Sequence, residues 1–196
     1  MKRRFKTAIA LLLSVVVVAN TNMPVKAESE ELEKATGCTF VLPDGYVLSE
    51  SEENVFVNSN YPLESGIITY SVVTTGSEDT LTNAERAEAA ESTETETEDA
   101  STELTQEFYQ ETMAAALNEE YGTDVGYTIS EFDNISIDGY PGYFIASTYQ
   151  GKQTIHQMVY IVLSRYKTFT ITYSRAEDDD TVEAFEASAA TIHVYN

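Results

Sequence analysis

The sequence predicts an α+β domain, an antiparallel β-sheet with a central meander flanked by two main helices. Three observations predict it. Runs at 143–149, 153–163 and 166–174 are rich in β-branched and aromatic residues. The connections between them, Gln150-Gly151-Lys152 and Ser164-Arg165, leave room only for antiparallel hairpins. Helical periodicity lies on either side, at 102–121 and about 181–190.

The chain begins with Lys2-Arg3-Arg4-Phe5-Lys6, followed by an apolar run from Ala8 to Ala19. A basic start and an apolar run shorter than a membrane span define a secretory signal peptide. Val25-Lys26-Ala27 ends in a small residue, so residues 1–27 are expected to be removed after Ala27. The expected localisation is secreted, outside the cytoplasm, with no membrane span after cleavage. Residues 28–37 read as a flexible N-terminal segment, and 38–196 as one domain.

Charge narrows the partners. The chain holds 33 acidic and 11 basic residues, a formal net charge of −22. Losing Lys2, Arg3, Arg4, Lys6 and Lys26 leaves six basic residues against all 33 acidic ones, a net −27. Such a surface repels nucleic acid and anionic lipid. A protein or cell-envelope component is the expected partner, and the chain is expected to be a monomer. Cys38 is the single cysteine, so no intrachain disulfide can form. Packing alone must hold about 170 residues, enough for one core.

The elements follow in order. Two short apolar runs between Thr39 and Leu48 flank Pro43-Asp44-Gly45 and predict a β-hairpin. Val55-Phe56-Val57 is a brief strand; 67–73 is a longer one, with Ile68, Tyr70 and Val72 on one face. Residues 78–100 hold nine acidic residues and one arginine with almost nothing large and apolar. That segment cannot bury enough surface to offset its ordering entropy, so it reads as a disordered acidic insertion with a transient helix at 83–90.

The helix at 102–121 is expected to bury Leu104, Phe108, Thr112 and Ala115, with Tyr109, Met113, Ala116 and Leu117 widening the face. Gly122 stops it. Residues 127–137 read as extended, with an irregularity near Asp133-Asn134, and 138–142 as a turn. In the meander, Phe169, Ile171 and Tyr173 share one face; Ile155, Val159, Ile161 and Leu163 share another, interrupted by Gln157. The closing helix is expected to start from an Asp180 cap with Glu183 three residues on, and to bury Val182, Phe185 and Ala189. A short strand to Tyr195 follows, with Ile192 and Val194 inward.

At this point the motifs gain meaning. Phe40-Val41-Leu42-Pro43-Asp44-Gly45-Tyr46 resembles the opening of the PsbP-like superfamily, and Ile137 to Ile145 resembles the segment leading into its meander. The strand at 153–163, the strand at 166–173 and the Phe185 helix follow in the same order. The superfamily includes extrinsic photosystem subunits, a Ran-binding nuclear-import factor and exported bacterial domains of unknown function. The resemblance implies the sheet-and-helix fold and no particular activity, since its members' functions differ.

No catalytic constellation is visible. There is no phosphate loop and no serine elbow, and neither histidine has zinc-ligand spacing, so no cofactor is expected. The expected function is a non-enzymatic binding or assembly-support module. Its candidate contact face is the mixed side of the 153–163 strand, carrying His156, Met158 and Tyr160. A second reading is a Ca²⁺-responsive protein using the acidic insertion and Asp178, Asp179 and Asp180, hard oxygen donors without EF-hand spacing. A third is an enzyme whose site assembles only in space.

Overall fold

The computed structural model describes residues 33–61, 65–74 and 104–196. The expected signal peptide, the acidic insertion at 78–100 and the first residues of the 102–121 helix lie outside them.

The sheet is organised by a two-residue turn. Strand β5 (Thr128–Ile137) pairs with β6 (Tyr140–Gln150), and only Asp138 and Gly139 join them. Both have positive φ, 53° and 86°, the left-handed pair that matches the twist of a tight hairpin. Pro141 and Gly142 therefore lie inside β6 and not in the turn expected over 138–142. Pro141 is tolerated there because β7 (Thr154–Leu163) begins pairing only at Gly142. Gly142 itself is required by close approach. A Cβ there would stand 2.1 Å from the Ile161 carbonyl oxygen.

The meander continues through β7 into β8 (Lys167–Ala176), as the short connections require. β4 (Ile67–Thr74) pairs with the far edge of β8, followed by β3 (Val55–Asn58) and β2 (Tyr46–Leu48). The result is a seven-stranded antiparallel sheet in the order β2-β3-β4-β8-β7-β6-β5. Its irregularity is a register shift between Ile129 and Glu131, not at Asp133-Asn134.

One expected pairing does not occur. β1 (Gly37–Thr39) does not form a hairpin with β2 across Pro43-Asp44-Gly45. It pairs with β9 (His193–Tyr195), near the other end of the chain, in a separate ribbon. The Pro-Asp-Gly turn exists, closed by Tyr46 N donating to Pro43 O at 3.2 Å. It redirects the chain from the ribbon into the main sheet.

Each face of the sheet has its own core. Helix α1 (Gln106–Tyr121) covers the face bearing Ile145, Val159 and Ile161. Thr105 caps it by accepting from Phe108 N, and Gly122 ends it by donating to Asn118 O. Its buried stripe is Tyr109, Met113 and Leu117. Phe108 is 40% exposed and Ala115 faces solvent, so the face is rotated from the one expected. Residues spaced i, i+4, i+8 align along a helix, and the large Tyr109–Met113–Leu117 row outcompetes Phe108–Thr112–Ala115.

Helix α2 (Val182–Ala189), β1 and β9 cover the other face, over Phe169, Ile171 and Tyr173. Phe185, Ser188 and Ala189 are its buried residues, and Val182 is only partly covered. Thr181 occupies the N-cap position in place of Asp180, and its side chain makes no capping hydrogen bond.

Candidate functional site

Alternation along β7 sends His156, Met158 and Tyr160 to the α2 side, while Gln157, Val159 and Ile161 go under α1. The α1 side is fully buried at those three positions; the α2 side is half-buried at its three. The difference follows from helix length, since α1 has 16 residues and α2 has eight.

Tyr160 lies in an aromatic row. Its ring is 5.0 Å from that of Phe144 and 6.1 Å, edge-on, from that of Tyr173. Tyr173 in turn meets Phe185 of α2 at 5.2 Å. Burial, then the charges of Glu186 and Glu131, push the Tyr160 phenol above its ordinary range. Met158 sits between Ala146 and Tyr173 on the neighbouring strands and packs on the α2-side core. Both residues are thus part core and part surface.

His156 is placed differently. It stands between Thr148 of β6 and Arg175 of β8. Its Nε2 is shut off from solvent and makes no hydrogen bond. It lines a cavity of about 130 Å³ with Ser130, Thr148, Met158, Arg175 and Val182. Arg175 was not singled out from the sequence. Its role depends on cross-strand register, which one strand's own pattern does not reveal.

The three aspartates do not converge. The Asp179 carboxylate accepts from Ser65 N at 3.0 Å and from the Ser65 hydroxyl at 3.2 Å. Asp178 accepts from Gln153 at 3.3 Å. Among the described residues, no three His, Cys, Asp or Glu side chains gather as a metal site. A second cavity of about 420 Å³ opens beside Asp179's partner Ser65, lined also by Tyr61, Ile67, Tyr149, Lys152 and Ser174. It draws on several separated segments, so no local motif announces it.

The other histidine serves the scaffold. His193 Nδ1 lies 2.7 Å from Asp138 Oδ2, which also accepts from Val194 N at 2.8 Å. These contacts, the backbone one foremost, hold the Asp138 carboxyl below its usual range. Cys38 is buried in the β1–β9 ribbon, and burial followed by the nearby Asp138 charge pushes its thiol up to about 11.

With this geometry in place, comparison with solved structures gives the fold. The chain is similar to cyanobacterial PsbP (CyanoP) from Synechocystis sp. PCC 6803, at 18% identity over 81% of this chain and 87% of that one, TM-score 0.52. LpqN, involved in cell envelope biogenesis of Mycobacterium tuberculosis, matches at 13% identity over 86% and 88%, TM-score 0.46. No family model matches the sequence, and no curated protein matches it. The fold is PsbP-like, as the motifs at 40–46 and 137–145 imply. Among the described residues, no helix is long and apolar enough to cross a membrane.

Proposed function

We propose that this chain is a secreted, non-enzymatic binding or assembly-support module that meets a protein or cell-envelope component through the face around His156, Met158 and Tyr160. The observation that carries the reading is the incomplete cover on that face. The eight-residue α2 leaves Phe144 and Tyr160 half-buried, where the α1 side of the same strand is closed. Half-open aromatic rings with a polar tip are efficient contact residues, since they add area at little entropic cost. Among the described residues lining the His156 cavity there is no carboxylate to orient the imidazole and no thiol, so no acid–histidine–nucleophile triad is assembled there.

The test is comparative capture from native cell-envelope extract. The His156→Ala/Tyr160→Ala double variant should lose the partners that the wild type retains, with an unchanged circular dichroism spectrum. Equal capture by both proteins would place the contact surface elsewhere. We further propose export with cleavage after Ala27; intact mass of the secreted form should correspond to a chain starting at Glu28.

A further inference from the structure

We propose that the cavity between His156 and Arg175 binds a carboxylate group. The inference deepens the reading above and rests on it only for the placement of the contact face.

Size sets the class of ligand. At about 130 Å³ the cavity lies well below the roughly 300–1,000 Å³ that takes a whole drug-sized molecule. It accommodates one functional group.

Charge and unmet hydrogen bonding set the chemistry. Arg175 is half-buried, and its Nη1 donates to two neutral backbone carbonyls, Ala176 at 3.3 Å and Asp179 at 3.1 Å. It has no carboxylate partner among the described residues. In a chain with 33 acidic and 11 basic residues, that is not for want of acids. Directly across the strand pair, His156 Nε2 is buried and unbonded. Beside them α2 begins. Val182, its first residue, lines the cavity, and the Thr181 hydroxyl is buried without a partner and does not cap the helix. Uncapped first-turn amides and the helix dipole favour an anion.

An arginine fork and a helix start, with the His156 ring in the wall between them, together match a planar monoanion. A dianion would gain the same local contacts but meet twice the repulsion from the acidic exported chain, whose 33 acidic residues face six basic ones. The carboxylate could be free in solution or carried at the end of a partner's segment; the chemistry is the same.

The experiment is an NMR titration of the exported chain, following the His156 imidazole and Arg175 guanidinium signals. The probes are sodium acetate, acetamide, and a pentapeptide with either a free or an amidated C-terminus, all at matched ionic strength. Saturable shifts with acetate but not acetamide are expected. Arg175→Gln should weaken acetate binding at least tenfold, with Arg175→Lys intermediate. A response only to the free-acid peptide would assign the carboxylate to a partner segment. Equal responses to acetate and acetamide, or no response to any acid, would overturn the proposal. That comparison uses the wild type alone, so a variant that fails to fold does not blunt it. Failure here with successful capture by the His156/Tyr160 face would leave the contact reading standing, and the converse result would leave a ligand cavity without the partner.

Discussion

Tyr173 and Ser188 meet hydroxyl to hydroxyl at 3.1 Å beneath α2, and Ser188 passes the chain of bonds on to the Val41 carbonyl at 2.6 Å. One serine therefore links β8, α2 and the segment leaving β1. Ser188 must donate to Val41, so the Tyr173 hydroxyl donates to Ser188. Replacing Ser188 with alanine leaves two groups unsatisfied, and should cost about 2 kcal/mol. Tyr173→Phe removes one donor and leaves the serine bonded to Val41, and should cost about 1 kcal/mol. Urea unfolding with unchanged m-values measures both. A Tyr173→Phe variant less stable than Ser188→Ala would contradict this direction of donation.

Buried phenols also fix the response to alkali. Burial is the first cause pushing Tyr70, Tyr127 and Tyr173 up to about 12, and it raises Tyr109 and Tyr149 as well. An unfolded tyrosine ionises near pH 10. Between about pH 10 and 12 the unfolded chain thus binds fewer protons than the folded one, and stability falls as pH rises. The contribution is complete below about pH 10 and lost by the time the folded phenols titrate. Tyrosinate absorbance and loss of far-UV circular dichroism should rise together. Full tyrosine ionisation near pH 10 with the spectrum intact would show that the rings are not buried.

How much of this was legible in the sequence follows the range of the interactions. The meander was legible because its determinants are local: alternation in 166–174 and connections only a few residues long. The β1–β9 pairing was not, because Cys38 and Val194 are paired across almost the whole chain and each segment alone is only three residues long. The α1 face was half legible. Two adjacent rows were both apolar, and only the shape of the sheet beneath decides between Phe108 and Tyr109. His156 could be placed on the open face from alternation, but its cavity required Arg175 and Val182, which tertiary register supplies.

Gly142 tests the meander's tightest contact. An alanine Cβ would lie 2.1 Å from the Ile161 carbonyl oxygen and 3.2 Å from the Val162 Cα, both backbone atoms. Neither can turn away as a side chain can, so β6 and β7 must separate locally. Gly142→Ala should destabilise by about 2 kcal/mol, within the usual range for overpacking. Thermal unfolding followed by circular dichroism measures it. An unchanged midpoint would mean that the two strands run further apart than described.

The Asp138 tether gives a prediction about Cys38. Asp138 Oδ2 holds Val194 N and His193 Nδ1, and Val194 is the residue paired with Cys38 in the ribbon. Asp138 also occupies a positive-φ turn position, so alanine would confound loss of the carboxylate with backbone strain. Asp138→Gly removes the carboxylate and keeps the turn. With the tether gone, β9 should open more often by itself, as weakly held terminal elements do. Cys38, otherwise buried and with its thiol raised to about 11, should then react with a thiol reagent at pH 8 several-fold faster, while the global unfolding midpoint moves little. Because the carboxyl is held below its usual range, the tether is present above about pH 4 and weakens as pH falls through the lowered value. Labelling rates equal in wild type and Asp138→Gly would show that the ribbon is closed by the β1–β9 hydrogen bonds without help from Asp138.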